Sequence, residues 1–258
     1  MRLLLVGDVF GIAGRKVIKE IIPKLRQEKK INFIVLNAEN IAHGKGIIEK
    51  YYKELLSLNI DVVTLGNHAF TNKNIYEFIN DAKNMIRPAN FNEEYPGNDY
   101  VTINYNGTSI TIFQVLGTVF MNNISNNAFT KCDEIINKVK SDIYICDFHG
   151  EATSEKNAFG LYFDGRINIM VGTHTHVQTN DARILPKGSF YISDLGMCGA
   201  LNGVIGVQEE PVIHQYVTGE HIRHLPKEDG KMQFNGVIVD IDEKTKKITK
   251  YETINIVL

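Results

Sequence analysis

The N-terminal third of the chain alternates between short apolar runs and longer segments with helical spacing, and this alternation restricts the fold more than any other feature. Residues 3–6, 33–36 and 61–65 are rich in valine, leucine and isoleucine, a pattern typical of buried strands. Residues 15–29 and 48–58 lie between these runs and carry apolar side chains three and four positions apart. Strands that alternate with helices in this way form parallel sheets joined by right-handed crossovers. The sequence therefore predicts an α/β fold.

The rest of the chain adds strands of a different character. Asn106-Gly107 is the strongest hairpin signal, because these residues adopt the positive φ angles of a tight turn and apolar runs flank them at 100–105 and 109–115. Further predicted elements are a helix at 75–82, an extended segment at 85–88, a helix at 132–140, strands at 143–147, 167–171 and 189–193, and a closing antiparallel pair at 234–241 and 248–256. We therefore expect two sheets packed face to face with helices outside.

A single domain accommodates this order of elements. The chain has 258 residues of ordinary globular composition, and its sequence contains no repeat, low-complexity tract or linker that would divide it. Residues 205–229 are less regular than the rest and carry three histidines. We interpret them as a cap or insertion near a functional site.

Charge and cysteine content limit the classes of protein that fit. A formal net charge of -2 does not indicate a broad nucleic-acid-binding surface. The three cysteines are scattered and form no Cys-x-x-Cys pair, which argues against a disulfide framework or a cysteine zinc site. No apolar segment is long enough to span a bilayer, and the run at residues 3–6 is too short for a signal peptide. We therefore expect a cytoplasmic protein without membrane association.

Five of the apolar runs are followed immediately by side chains of the kinds that bind metal ions. Because the carboxyl ends of strands in α/β sheets converge on one rim, where ligands of such folds usually bind, we expect these side chains to lie together. The candidate ligands are Asp8, Glu39, Asn40, Asn67, His149, His174 and His176. Seven side chains exceed the needs of one tetrahedral zinc and suit two cations about 3.5–4 Å apart that share a bridging carboxylate.

Several of these candidates also have an ordinary structural interpretation. Asp8 alone is typical of a turn or a helix cap, and the asparagine-rich segment around Glu39 is typical of an Asx turn. Adjacent side chains on a strand point to opposite faces, so Glu39 and Asn40 can both be ligands only where the backbone turns. Glu39 has the reach to bridge two metals, whereas Asn37 fits the turn better than a metal. A lone histidine such as His149 is normally a structural residue.

Two short motifs carry a stronger signal. In Gly66-Asn67-His68 the glycine allows a sharp bend and Asn67 offers an amide oxygen. His68 lies beside the metal, in a position suited to a general acid or to a hydrogen-bond donor to a phosphate oxygen. His174 and His176 are two residues apart, so on an extended segment both side chains face the same way.

The charge of the ligand set points to an anionic substrate. Only Asp8 and Glu39 are negative, so two divalent or mixed-valence cations would leave the site net positive. Such a site favours a metal-bound hydroxide and an anionic ester, the demands of phosphoester hydrolysis.

We expect the substrate pocket to come from residues 41–47, 121–127 and 205–229. The other histidines are assigned to the surface or this pocket, with His43 nearest the site: His43, His214, His221 and His224.

The order and spacing of the motifs resemble the calcineurin-like metallophosphoesterases, whose pattern is Asp-x-His, Gly-Asp, Gly-Asn-His-Asp/Glu, a lone His, and Gly-His-x-His. The chain departs from this pattern at Phe10 in place of a histidine, Glu39 in place of the bridging aspartate, Ala69 in place of an acid, and Thr173 before His174. These departures resemble more specifically the YmdB-type bacterial phosphodiesterases. Three segments share in this resemblance: Gly-Asp-Val-Phe-Gly, Asn-Ala-Glu-Asn and Asp-Phe-His-Gly-Glu-Ala-Thr-Ser-Glu-Lys. The resemblance runs from Arg2 to near the C-terminus.

The resemblance implies a four-layer αββα sandwich of two mixed sheets with a dinuclear, iron-containing site, for which manganese, zinc or magnesium are alternatives. It assigns one metal to Asp8, Glu39, Asn40 and His176, and the other to Glu39, Asn67, His149 and His174. In this assignment Asn40 compensates for the histidine lost at Phe10, and His68 protonates the leaving oxygen. The resemblance also implies hydrolysis of cyclic nucleotides, notably 2',3'-cyclic forms, a homo-oligomer, and links to RNA turnover.

Two other classes of function stay open at this point. A metal-containing binding protein would sense a nucleotide or act on RNA turnover with little catalysis, although an intact ligand set with His68 disfavours a degenerate site. A metal-dependent hydrolase of C–N bonds would be indicated by a bridging lysine or a helical His-Glu-x-x-His motif, and neither is evident.

Overall fold

The computed structural model describes residues 1–92, 94–121 and 126–258. The strands are β1 (Arg2–Val6), β2 (Asp8–Val9), β3 (Phe33–Asn37), β4 (Val62–Thr64), β5 (Met85–Ile86), β6 (Tyr100–Tyr105), β7 (Thr108–Leu116), β8 (Ile143–His149), β9 (Ile169–Thr173), β10 (Arg183–Ile184), β11 (Phe190–Ile192), β12 (Met197–Ala200), β13 (Met232–Ile241) and β14 (Ile248–Val257). The helices are α1 (Gly11–Glu28), α2 (Glu49–Ser57), α3 (Ala128–Lys138), α4 (Thr153–Phe163) and α5 (Glu209–Thr218).

Among the described residues the strands form two mixed sheets. The first sheet has the order β2-β12-β13-β1-β3-β4-β5, and β14 pairs with β13. Its strands β1, β3, β4 and β5 run parallel, whereas β13 is antiparallel to β1, β12 and β14. The second sheet has the order β10-β11-β9-β8-β7-β6, with a parallel centre and an antiparallel strand at each edge.

The side chains of β1 show how the layers stack. Leu3 and Leu5 lie in a core shared with β7, β8 and β9 of the second sheet. Leu4 and Val6 lie in a separate core with α1 and α2, because successive side chains of a strand point to opposite faces. The outer face of the second sheet packs on α3 and α4. These layers confirm the predicted αββα sandwich of two mixed sheets.

Several elements differ from the sequence prediction for local reasons. α1 begins at Gly11 rather than residue 15, because two glycines obscure the helical spacing of its first turn. Gly14 is needed there, since a Cβ atom would overlap the carbonyl oxygen of Cys198 on β12. The predicted helix at 75–82 is only a 3-10 turn at Lys73–Glu77. The sequence pattern also does not predict α4, or α5 within the irregular segment 205–229.

No described helix combines the length and the apolar character that crossing a bilayer would require.

Candidate metal centre

The seven predicted ligands lie together at the rim where the strands end. They occupy β2 (Asp8), the turn after β3 (Glu39, Asn40), the turn after β4 (Asn67), the end of β8 (His149) and the turn after β9 (His174, His176). Two groups have ligand atoms that all lie within 4.8 Å of one another: Glu39 with His149 and His174, and Glu39 with Asp8 and His176. Glu39 belongs to both groups, as a bridging carboxylate would.

The first group surrounds the His149 ring. Its Nε2 atom lies 2.9 Å from Asn67 Oδ1, 3.1 Å from His174 Nδ1 and 3.3 Å from Glu39 Oε2. Atoms bound about 2.1 Å from one cation at right angles to each other lie about 3 Å apart. The spacing of these atoms therefore suits a single coordination sphere.

The second group contains a carboxylate oxygen without a hydrogen-bond donor. Asp8 is 0% exposed, and its Oδ1 atom has no hydrogen-bond partner among the described residues, whereas Oδ2 accepts from the His174 backbone N–H at 3.1 Å. His176 Nε2 lies 3.1 Å from Asn40 Oδ1 in the same group. A buried carboxylate oxygen without a hydrogen-bond donor is costly, and a cation would satisfy it. The donor set thus fits a metal ion at this position.

Outer hydrogen bonds determine which ring nitrogen two of the histidines offer. His176 Nδ1 lies 2.8 Å from the carbonyl oxygen of Ile205, which can only accept, so Nδ1 carries the proton and Nε2 is free. His174 Nε2 lies 3.2 Å from the Glu151 carboxylate, which leaves Nδ1 free in the same way. In both rings the free nitrogen faces the ligand group. Ligating histidines are held by such outer partners.

His149 is oriented through a threonine. Its Nδ1 atom lies 2.8 Å from Thr173 Oγ1, and this hydroxyl donates to Asp147 Oδ1 at 2.7 Å. Because the hydroxyl gives its only proton to the carboxylate, it accepts from His149 Nδ1, so Nε2 is the nitrogen that can lose its proton and bind a metal. The other Asp147 oxygen accepts hydrogen bonds from Thr64, Gln114 and Asn37.

Two local features place the Glu39 carboxylate. The Asn37 side chain accepts a hydrogen bond from the Glu39 backbone N–H at 3.0 Å, the Asx turn that the sequence predicts. Gly66 leaves room for the carboxylate, since a Cβ atom there would overlap it and lie 2.7 Å from the His149 ring. A side chain at position 66 would therefore displace Glu39.

A buried ion pair supports the strained turn after β9. His174 and His176 have φ angles of 105° and 65°, which non-glycine residues rarely adopt. Lys156 Nζ lies 2.9 Å from the carbonyl oxygen of Thr173 and 2.9 Å from Asp194 Oδ2, and this carboxylate also accepts from a backbone N–H of the turn at 3.0 Å. The pair ties the turn to α4 and to the segment after β11.

Without metal, the ligand groups have strongly shifted pKa values. Burial lowers the pKa of His149, but nearby carboxylates, Glu39 above all, outweigh it and raise this pKa to about 9. Burial raises the pKa of Asp8 to about 7 against the opposing charges of two histidines. Burial also raises the pKa of Glu39, but the surrounding histidines outweigh it and hold the value well below its usual range. Burial and the charge of His149 lower the pKa of His174 to about 3.

A cavity of about 1420 Å³ opens above the ligands. Of the predicted site residues, those that line it are Glu39, Asn40, His68, His174 and His176, whereas Asp8, Asn67 and His149 do not. His68 is half-buried, and burial is the main cause that lowers its pKa. Phe10 lines the cavity with its ring centroid 5.5 Å from that of His176.

The predicted pocket segments contribute unequally to this cavity. His43, His221 and His224 line it, whereas His214 bonds Glu220 at 2.9 Å outside it. Residues 41–47 and 205–229 both supply lining side chains. Of the predicted segment 121–127, residues 122–125 lie outside the described residues. The interpretation of 205–229 as a cap stays a prediction.

Sequence reasoning missed the residues that hold the ligands in place. These are Thr173, Glu151, Ile205, Lys156 and Asp194. A polar side chain within a buried strand is one available signal, and it applies to Thr173 and to Asp147. Ile205 acts through its backbone carbonyl, for which the sequence carries no signal.

The fold and the site together define a metallophosphoesterase-type protein, and two solved structures are similar over the whole chain. The crystal structure of a novel phosphatase from Mycoplasma pneumoniae has a TM-score of 0.95 and 37% identity, and the match covers 100% of this chain and 93% of that one. The crystal structure of a hypothetical protein from Thermus thermophilus has a TM-score of 0.93 and 32% identity, with coverage of 100% and 99%.

The sequence comparisons then identify the family. The family model described as YmdB-like protein matches residues 4–254, and the chain belongs to that family, as the motifs predict. A relative from Bacillus subtilis (strain 168), named 2',3'-cyclic-nucleotide 2'-phosphodiesterase, is 45% identical over 256 residues, which cover 98% of this chain and 96% of the relative. The prediction that the chain is a phosphoric diester hydrolase is thereby confirmed.

Proposed function

We propose that this protein hydrolyses 2',3'-cyclic nucleotides at a dinuclear metal centre. The observation that carries the proposal is the presence of Glu39 in both ligand groups, since one carboxylate between two donor sets is the arrangement of a two-metal site. The Bacillus subtilis relative is named for a reaction on 2',3'-cyclic nucleotides, which supports the choice of substrate.

The ligand set divides between two cations. Asp8, Glu39, Asn40 and His176 would hold one, and Glu39, Asn67, His149 and His174 would hold the other. The donors are nitrogen and oxygen atoms only, a set that suits iron, manganese, zinc or magnesium, and iron is our choice from the family resemblance. Bound cations would lower the pKa of water and neutralise charge on the phosphoryl group.

The chain's own residues would bind the substrate and move a proton. With metal bound, the three histidines would present unprotonated nitrogens toward the centre, because the other nitrogen of each ring keeps its proton and donates it to an outer acceptor. His68, which lines the cavity, would give a proton to the leaving oxygen. Its pKa is lowered in the free protein by burial. An anionic phosphate beside the ring would raise that pKa again and favour the protonated form that this step needs.

The test is hydrolysis of 2',3'-cyclic AMP by protein loaded with ferrous iron or manganese, followed by chromatography. We expect metal-dependent release of a nucleoside monophosphate, whose isomer shows which ester bond breaks. Glu39→Gln should abolish turnover and lower the bound metal, whereas His68→Ala should slow turnover at near wild-type metal content. Normal turnover by Glu39→Gln at full metal content would contradict the bridging role. Tight nucleotide binding without product would instead support the binding-protein alternative.

The proposal extends to the native state of the protein. We propose a homo-oligomer that works in the cytoplasm, as the family resemblance implies. Light scattering coupled to gel filtration measures the subunit number, and cell fractionation measures the compartment. A monomer in solution or a membrane-bound fraction would contradict this part of the proposal.

A further inference from the structure

Three cationic side chains line the cavity without a carboxylate partner. Lys16 on α1, Lys45 in the turn after β3 and Arg223 in the segment after α5 all face the cavity and are exposed. None of them has an ion pair or a side-chain hydrogen bond among residues 1–92, 94–121 and 126–258. They come from three separate segments and surround one space. Their charges are therefore available to a ligand.

The turn that carries Lys45 is held against the metal centre. The Gly44 backbone N–H donates to the carbonyl oxygen of Asn40 at 3.1 Å, and the Asn40 side chain donates back to the Gly44 carbonyl oxygen at 3.0 Å. Gly44 and Gly46 have φ angles of 89° and 71°, which glycine adopts without strain. Lys45 and His68 line the same cavity.

The acidic side chains of the cavity do not neutralise these cations. Glu151 is 3.2 Å from His174 Nε2, and Asp229 is 3.8 Å from Lys227. Glu228 has no ion pair among the described residues. None of these three carboxylates forms an ion pair with Lys16, Lys45 or Arg223 within the described part of the chain. The three cations lie outside the predicted metal ligands, so they would stay available to an anionic ligand with the centre loaded.

The cavity is also larger than one cyclic mononucleotide needs. Its volume of about 1420 Å³ exceeds the range of roughly 300–1,000 Å³ that is typical of small-molecule sites. With a cyclic phosphate at the metal ligands, space and positive charge remain along the walls. An additional anionic group on the substrate would match both.

We infer that the cavity takes a 2',3'-cyclic nucleotide bearing a further phosphate on its 5' side, and that Lys16, Lys45 and Arg223 form the subsite for this second phosphate. The inference rests on the proposed function and narrows its substrate class. The second phosphate has two sources, a 5'-phosphorylated mononucleotide or the internal diester of an oligoribonucleotide that ends in a 2',3'-cyclic phosphate.

The experiment compares kcat/KM of the metal-loaded protein for three substrates. They are 2',3'-cyclic AMP, its 5'-phosphorylated form, and a dinucleotide of two adenosines joined by a 3',5'-phosphodiester and ending in a 2',3'-cyclic phosphate. Each of three exposed charge pairs should raise kcat/KM by about three- to fivefold. We therefore expect wild-type protein to prefer the two substrates with a second phosphate by about 30- to 125-fold. The preference should fall as salt is added, because the additional contacts release counterions.

Variants then identify the subsite. Lys16→Gln, Lys45→Gln and Arg223→Gln should each lower the preference for the phosphorylated substrates by about three- to fivefold. Lys140→Gln removes an exposed lysine that does not line the cavity and should leave the preference unchanged. A preference for both phosphorylated substrates supports recognition of the phosphate itself, and a preference for the dinucleotide alone supports an oligoribonucleotide end.

Two outcomes separate this inference from the proposed function. Equal kcat/KM for all three substrates, or a preference that no variant changes, would overturn the subsite and leave the hydrolase proposal intact. If no substrate is hydrolysed, calorimetry with adenosine 3'-monophosphate and adenosine 3',5'-bisphosphate still tests the subsite. Equal affinity for these two ligands would overturn it. Tighter binding of the bisphosphate, lost in Arg223→Gln, would support it.

Discussion

Thr173→Val would test whether the threonine hydroxyl orients His149 for metal binding. Valine has nearly the same shape as threonine, so the change removes the hydroxyl and little else. Two short contacts disappear, one of 2.8 Å to His149 Nδ1 and one of 2.7 Å to Asp147 Oδ1. The ring, which is 0% exposed, then has a buried N–H without an acceptor.

The expected effect is large enough to measure in two ways. A buried polar group that loses its partner costs about 1–3 kcal/mol, so the free energy of unfolding of the metal-free protein should fall by that amount. Loss of an outer partner of a ligating histidine typically weakens metal binding by about 10–100-fold. Such a loss corresponds to about 1.4–2.8 kcal/mol of binding free energy.

Thr64→Val is the matched control. The Thr64 hydroxyl also donates to Asp147, at 2.7 Å, but Thr64 has no hydrogen bond to His149. Both variants should lose stability in urea unfolding of the metal-free protein. Only Thr173→Val should lose metal affinity in a competition titration against a chelating dye. Equal weakening of metal binding by both variants, or wild-type affinity in Thr173→Val, would refute the orienting role.

Three further predictions concern proton release, the buried ion pair and the space beside Glu39. Metal uptake should release about one proton near pH 8, because His149, with a pKa of about 9, must deprotonate to bind, whereas Asp8, with a pKa of about 7, has already lost its proton. Metal affinity should therefore rise about tenfold per pH unit as the pH approaches 9 and level off above it. Calorimetry in buffers of different ionisation enthalpy measures both the proton release and the affinity. Lys156→Met should lower the free energy of unfolding by roughly 3–5 kcal/mol, because it leaves the Asp194 carboxylate buried without its cation. Asp194→Asn in the same chain should restore part of that loss in urea unfolding. Gly66→Ala should lower bound metal about tenfold or more by displacing the Glu39 carboxylate, and full metal content by atomic emission would contradict this.

The sequence predicts the layers well because the parallel strands of the first sheet, β1, β3, β4 and β5, are buried on both faces. Continuous apolar runs such as residues 3–6 reflect this double burial, and helical spacing between the runs fixes the parallel order. Short elements escape prediction for the opposite reason. β12 is only Met197–Ala200, and it belongs to the sheet through its partners rather than its own composition. α4 buries a lysine, which disguises its inner face.

The sequence predicts that the candidate ligand side chains lie close together, because each lies at or just after a strand end and topology brings strand ends together. The sequence does not predict the hydrogen-bond partners of these side chains, because a hydrogen bond depends on three-dimensional geometry that a local sequence pattern does not contain. The partner of His149 is a hydroxyl on the neighbouring strand, and that of His174 is a carboxylate after β8. Both are residue types that occur in many other settings.

His176 shows why this limit matters for function. Its partner is the backbone carbonyl of Ile205, a residue at φ 44° at the start of the segment that also supplies Arg223 to the cavity wall. One end of this segment therefore fixes the tautomer of a proposed ligand, while its other end contributes charge to the proposed phosphate subsite. A shift of the segment on substrate binding would change the hydrogen bond at His176 as well. Substrate recognition and metal affinity should therefore be coupled. A competition titration against a chelating dye should show that a ligand with a second phosphate changes metal affinity more than 2',3'-cyclic AMP does, and equal metal affinity with the two ligands would contradict the coupling.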